Sequence, residues 1–195
     1  INFNGSIAYL STAFGIVELD VPKAEFRTTI FTGIEVNDTE VWNGQLLAAT
    51  EEGIYVIDND DTKNISDFSQ WRRLDSMDGL PNDYRSEALA IFNDQLYISL
   101  NDIIYKYDGT LLTDVYSVPG FSTEYLTPGN THLIVGYACG SNCNGTVGFI
   151  SQTDDVTLVG SGCVARPLGA IQVGNAIYFA ELFSDLRRTV SIDQD

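Results

Sequence analysis

The chain has 195 residues, of which 44% are apolar and 11% aromatic, and its 27 acidic side chains outnumber 10 basic ones to give a net charge of −17. That apolar content is that of a folded domain, and no run approaches the ~20 apolar residues of a membrane helix. The charge argues against nucleic acid, and against insertion into or direct contact with an anionic membrane, because both surfaces would repel it. No signal peptide is visible. The chain opens at Ile1-Asn-Phe-Asn and enters a strand almost at once, which reads as a fragment, so a missing targeting signal carries no information about location.

In chain order, Ser6 to Asp20 alternates through Ile-Ala-Tyr-Leu-Ser-Thr, a Gly-containing turn, and Ile-Val-Glu-Leu-Asp. Leu46 to Asp58 repeats the outline as Leu-Leu-Ala-Ala-Thr, Glu-Glu-Gly, Ile-Tyr-Val-Ile-Asp. Phe92 to Gly109 gives the clearest copy. Leu96, Ile98 and Leu100 share one face there, opposite Gln95, Tyr97 and Ser99, and the alternation restarts after Asn101-Asp102. Period two bounded by Asn-Asp and Asp-Gly is a β-hairpin signal, since Asn, Asp and Gly accept the backbone angles of tight turns. His132 to Ser151 has the same outline with a longer loop, and Ile177 to Asp193 gives a fifth copy.

Tyr9, Leu47, Tyr97, Ile134 and Tyr178 occupy comparable positions, separated by 38, 50, 37 and 44 residues. Further short apolar runs lie between the copies: Phe26 to Phe31, Glu40 to Trp42, Phe68 to Leu74, Ala88 to Phe92 and Thr157 to Val159. About four strands per ~40-residue repeat is the signature of a β-propeller blade. The expected fold is therefore all-β, with blades of four antiparallel strands, against the alternative of a β-sandwich of short strands. Approximate blades are 1–33, 34–85, 86–121, 122–169 and an incomplete 170–195. Closed propellers hold ~4 to 8 blades, so a partial propeller, four to five blades of a larger one, is expected.

Few residues point to chemistry. Cys139 and Cys143 flank Gly-Ser-Asn, and a disulfide closing that loop suits an exported protein, with Cys143–Cys163 as the rival pairing. Free thiols remain the alternative, and a zinc site with His132 matches no standard spacing. His132, the single histidine, has no nucleophile elbow to serve and reads as the start of a strand. Asp58-Asn-Asp-Asp61 places Lys63 where a calcium loop of the EF-hand type needs glycine, so it reads as a solvated hairpin end. Glu51-Glu52 and Asp154-Asp155 read as surface charge in turns. Gly160 to Gly169 lacks the Gly-Lys-Ser/Thr of a phosphate loop and reads as an inter-blade connection. Sequons stand at Asn4, Asn37, Asn64 and Asn144. No catalytic, metal-binding or cofactor-binding residue is expected.

Trp71-Arg-Arg-Leu-Asp-Ser-Met-Asp-Gly-Leu-Pro-Asn-Asp-Tyr84, followed by Leu96-Tyr-Ile-Ser and Ile104-Tyr-Lys-Tyr-Asp108, resembles the repeat of two-component regulator propellers. In it Pro81 fixes φ at the blade junction and Gly79 permits the turn. Thr12 to Asp20, Ala48 to Asp58 and Asp67 to Leu74 resemble the PorZ family of type IX secretion components. The likeness covers residues 6 to 109 and weakens from Phe121 on. It implies a non-enzymatic, extracytoplasmic scaffold at the bacterial outer membrane, whose partners are other secretion-complex proteins and a surface glycan or lipopolysaccharide. A sensor propeller of a hybrid kinase that binds an oligosaccharide, and a propeller glycan lyase or hydrolase, are the competing expectations.

Overall fold

A computed structural model describes residues 1–60, 62–139, 145–164, 166–182 and 184–189. Nineteen strands are assigned among them, with single 3-10 turns at Phe68–Gln70 and Ser76–Asp78. The first sheet is β1 (Asn2–Asn4), β2 (Ile7–Thr12), β3 (Gly15–Asp20) and β4 (Glu25–Phe31), in that spatial order. The second is β5 (Val36–Trp42), β6 (Gln45–Thr50), β7 (Gly53–Asp58) and the two-residue β8 (Arg72–Arg73). The third is β9 (Ser86–Phe92), β10 (Gln95–Leu100), β11 (Ile103–Tyr107) and β12 (Leu112–Tyr116). The fourth is β13 (Ser122–Pro128), β14 (His132–Ala138), β15 (Gly145–Ser151) and β16 (Val156–Val164). The fifth has three described strands, β17 (Pro167–Val173), β18 (Ala176–Glu181) and β19 (Ser184–Thr189). Consecutive strands pair within every sheet. The fold class is thus all-β, built of β-propeller blades of four antiparallel strands.

The chain divides into two packing units, Ile1–Leu89 with Tyr107–Thr113, and Ala90–Lys106 with Asp114–Asp195. In the first, Tyr9, Ile16 and Ile30 of one blade pack against Leu46, Ala48, Ile57 and Trp71 of the next. In the second, Ile134, Val147 and Phe149 pack against Ile177 and Phe179. The middle strands of a blade are covered on both faces, which is why Leu96 through Leu100 are all buried despite their alternating pattern. Burial at ~1.5–3 kcal/mol for each large apolar side chain is the main favourable term.

Two expectations are corrected. Gly160 to Gly169 is mostly strand, and the link between the fourth and fifth sheets is confined to the stretch between Val164 and Pro167. Residues to Val164 extend β16, with Val164 opposite Gly145, and Pro167 opens β17 opposite Glu181. A register shift between Gly145 and Val147 absorbs the extra residues of β16. The run Phe68 to Leu74 is not a full strand either. Asp67 caps a 3-10 turn by accepting from the Ser69 N–H, and only Arg72 and Arg73 pair with β7.

Three of the strands that open a blade share a second device. β5, β13 and β17 each shift register just after their first residues, at Val36/Asp38, Thr123/Tyr125 and Pro167/Gly169. In β5 the shift turns Asn37 and Asp38 toward β9. Asn37 Nδ2 donates to the Ser86 carbonyl at 3.0 Å, and Asp38 Oδ2 accepts from the Leu89 N–H at 3.0 Å. Asn37 is thereby a structural side chain, although it lies in a sequon.

Candidate functional site

The Gly-Leu-Pro-Asn connection is tightly built. Asp75 and Asp78 form a capping box around Ser76–Asp78, and Gly79 ends the turn at φ 80°. Arg72 Nη1 donates to both Asp78 carboxylate oxygens at 2.9 and 2.8 Å. The pairing with Arg72 and the Asp75 N–H hold the Asp78 carboxyl below its usual range, against the opposing effect of its partial burial, which is the largest single influence. Tyr84 is buried, and its hydroxyl accepts from the Ile54 N–H at 3.1 Å and donates to the Leu74 carbonyl at 2.9 Å. Burial pushes that phenol up to about 12. Arg73 stacks over the Tyr84 ring at 4.7 Å and donates to the Glu52 and Asn82 carbonyls. Tyr107 ties the same segment down by donating to the Asp78 carbonyl at 2.9 Å. Every polar group of this motif named here is spent on structure.

An open concavity lies elsewhere, at the loop that enters an inner strand. Asn101, Asp102 and Ile103 form one wall of a cleft of about 290 Å³, and Ser117 through Ser122 form the other. Asn101 and Asp102 both have positive φ, 49° and 68°, as a two-residue hairpin turn with right-handed twist requires. Asp102 accepts from the Thr123 N–H at 3.3 Å, and the Phe121 N–H donates to the Val118 carbonyl at 3.0 Å. The volume sits at the lower limit of the ~300–1,000 Å³ typical of small-molecule sites. One carboxylate faces it, so no acid–base pair is assembled there.

Among the described residues no group of three His, Cys, Asp or Glu side chains converges as a metal site. Cys139, at the end of β14, is disulfide-bonded. Cys143, its expected partner, lies outside the described residues. His132 opens β14, where Thr131 Oγ1 lies 2.9 Å from its Nδ1 and its ring meets Phe149 edge-on. Asp60 accepts from the Thr62 N–H and hydroxyl, closing the hairpin end predicted there. Glu51 accepts from Asn37 at 3.3 Å.

Asp154 was missed by sequence reasoning. It is no loose surface charge. Its carboxylate accepts from the buried Tyr97 hydroxyl at 3.1 Å and pairs with Lys106 Nζ at 2.5 Å. Burial, then the Asp154 charge, drive the Tyr97 phenol far above its usual range. The signal that could have found it was the repeat itself, because Asn59, in the matching turn of an earlier blade, donates to the matching Tyr9 hydroxyl at 3.2 Å.

Repeated four-stranded blades joined by side-chain hydrogen bonds define a β-propeller segment. Residues 1–72 match the family described as the N-terminal beta-propeller domain of PorZ of the type IX secretion system. The structure of PorZ, an essential bacterial surface component of the type IX secretion system of Porphyromonas gingivalis, superposes with TM-score 0.71 at 23% identity over 96% of this chain. An extracellular domain assigned to a hybrid two component system of B. thetaiotaomicron gives 0.63 at 13% over 94%, and one assigned to a one component system gives 0.62 at 11% over 92%. At these identities the likenesses show the fold. The chain spans 24% of the PorZ chain and 25% of each of the other two. No curated protein matches it.

Proposed function

We propose that the chain is part of a non-enzymatic interaction scaffold in a bacterial cell-surface secretion and attachment complex of the type IX kind. The match of residues 1–72 to the PorZ N-terminal propeller carries this reading. Three physical features support it. The connection between the second and third blades is fixed by side-chain hydrogen bonds, which suits a rigid platform. The cleft beside Asp102 is shallow and open, a shape that suits contact with another protein. A disulfide at Cys139 suits an oxidising compartment outside the cytoplasm. The partners are other proteins of the complex.

Lipopolysaccharide is anionic and this chain carries −17. Contact with that glycolipid belongs to another part of the parent protein, or is bridged by divalent cations. Deleting the parent gene and assaying surface retention of secreted cargo tests the proposal. Cargo lost from the surface supports it, and normal retention overturns it. The likeness to the B. thetaiotaomicron extracellular domains favours a second reading, a ligand-sensing propeller of a two-component sensor. That reading predicts a transcriptional defect in response to an oligosaccharide, with cargo retention intact.

A further inference from the structure

The Gly-Leu-Pro-Asn connection spends its polar groups on structure and leaves Met77 outside. Met77 is the one methionine of the chain and is 90% exposed, so core packing does not account for it. Apart from the first and fifth blades, the exposed large apolar side chains among the described residues are Met77, Leu111 at 61% and Leu158 at 38%. An apolar residue exposed singly is ordinary. Met77 and Leu111 are not single, because they stand on two segments locked against each other. The Tyr107 hydroxyl bridges the Asp78 and Gly109 carbonyls, 2.9 Å from each. The Gly79 backbone comes so near Thr110 that a Cβ on Gly79 would stand 1.8 Å from the Thr110 carbonyl oxygen. Both segments belong to one packing unit.

The backbone under the pair is set before any partner arrives. Asp75 and Asp78 fix Ser76–Asp78 as a capped turn, and Arg72 clamps the Asp78 carboxylate. Asp108 accepts from the Leu111 N–H at 2.8 Å. A preset backbone loses little freedom on association. The methionine side chain moulds itself to an irregular apolar surface, and methionine is enriched at protein interfaces.

Charge selects the occupant. Asp75, Asp78 and Asp108 stand on the two segments, and the nearest cations are committed. Arg72 pairs with Asp78, while Arg73 lies over the Tyr84 ring and donates to the Glu52 and Asn82 carbonyls. The unit as a whole holds 17 acidic residues against 6 basic ones, a net −11. A second copy would bring the same excess of acid, and an anionic glycolipid would be repelled as well. A basic protein surface is attracted, and electrostatic complementarity of that kind also sets register and speeds encounter.

We infer that Met77 and Leu111 form a docking surface for a separate protein, one that offers an apolar pocket framed by lysine and arginine. The inference deepens the scaffold reading and rests on it for the source of the partner, the surface complex.

The test places the photocrosslinker p-benzoylphenylalanine at position 77 of the full-length protein in living cells, with position 63, exposed in another turn of the unit, as the control. Adducts are read by mass spectrometry of their peptides, and the captured protein is then purified for binding. Three results are expected together. Position 77 and not position 63 couples to a separate protein, through a peptide rich in lysine or arginine. The double variant Met77→Ala, Leu111→Ala binds that protein at least about tenfold more weakly, with its melting temperature unchanged. Raised ionic strength weakens the wild-type complex severalfold. The inference is overturned by no adduct at position 77, or by an adduct with a second copy, with another part of the same polypeptide or with glycolipid. It is overturned equally by a partner whose affinity ignores the double variant or the salt. Normal cargo retention without the parent gene would instead overturn the scaffold reading and leave this surface standing.

Discussion

Gly79 offers a quantitative check on the blade junction, because Gly44 supplies a matched control. Both have positive φ, 80° and 77°. A Cβ at Gly44 would meet nothing within 4 Å, whereas one at Gly79 would stand 1.8 Å from the Thr110 carbonyl oxygen and 2.7 Å from its carbon. Gly44→Ala should therefore cost only the left-handed strain of about 1–2 kcal/mol, reduced by the stiffer unfolded chain. Gly79→Ala adds displacement of the Asp108–Leu111 turn. That turn is held by Asp108 Oδ1 accepting from the Thr110 and Leu111 N–H groups, and by Tyr107 bonding to Gly109 and Asp78. Losing two or three such bonds, at about 0.5–1.5 kcal/mol each, brings the total to about 3–5 kcal/mol. For a chain of this size that is roughly 6–20 °C in Tm, against a few degrees for the control. Urea and thermal unfolding followed by tryptophan fluorescence are the assays, since Trp42 and Trp71 both lie in the unit that contains Gly79. Equal losses for the two variants would refute the close approach at Gly79.

Tyr84→Phe leaves the Ile54 N–H without its side-chain acceptor and should cost about 1–3 kcal/mol in the same assay; an unchanged urea midpoint would show that the hydroxyl bridge contributes nothing. Asp38 gives a pH dependence. Burial pushes its carboxyl up to about 6, against the Leu89 and Thr39 N–H groups that pull it down. A raised carboxylate pKa means that its contribution to stability is fully present below the unfolded value near 4 and is lost as pH rises through 6. The urea midpoint of the wild type should therefore rise, relative to that of Asp38→Asn, as pH is lowered from 7 to 4.5; parallel profiles would contradict the assignment. For the cysteines, thiol titration of the unfolded, unreduced chain should find one free thiol of the three, and three after reduction; three before reduction would exclude the disulfide.

Hairpins were legible in the sequence because their signals are local. Period-two alternation and the Asn-Asp or Asp-Gly turns lie within a dozen residues of one another, and β10 and β11 fall where Leu96 to Tyr107 put them. The repeat then supplied the blades. What failed depended on distant partners. Gly160 to Gly169 looks like a connection by composition, but most of it is held as strand by pairing to β15 and β18, with only the stretch between Val164 and Pro167 linking the two sheets. Phe68 to Leu74 has the apolar content of a strand, yet Asp67 diverts its first half into a 3-10 turn. Asp154 looked like one of many surface acids, and only its contact with Tyr97 and Lys106, some 50 residues away, makes it a latch. The cleft beside Asp102 was not legible in the sequence, because its shape comes from the course of the main chain from Ser117 to Ser122.

The central claim concerns where the parent protein works and what it lacks. Antibody raised against this segment, applied to fractionated cells and to intact cells treated with protease, measures the parent's size and location together. The scaffold account predicts an outer-membrane protein without a kinase, shaved from the surface of intact cells. A larger inner-membrane protein bearing a cytoplasmic kinase would contradict it.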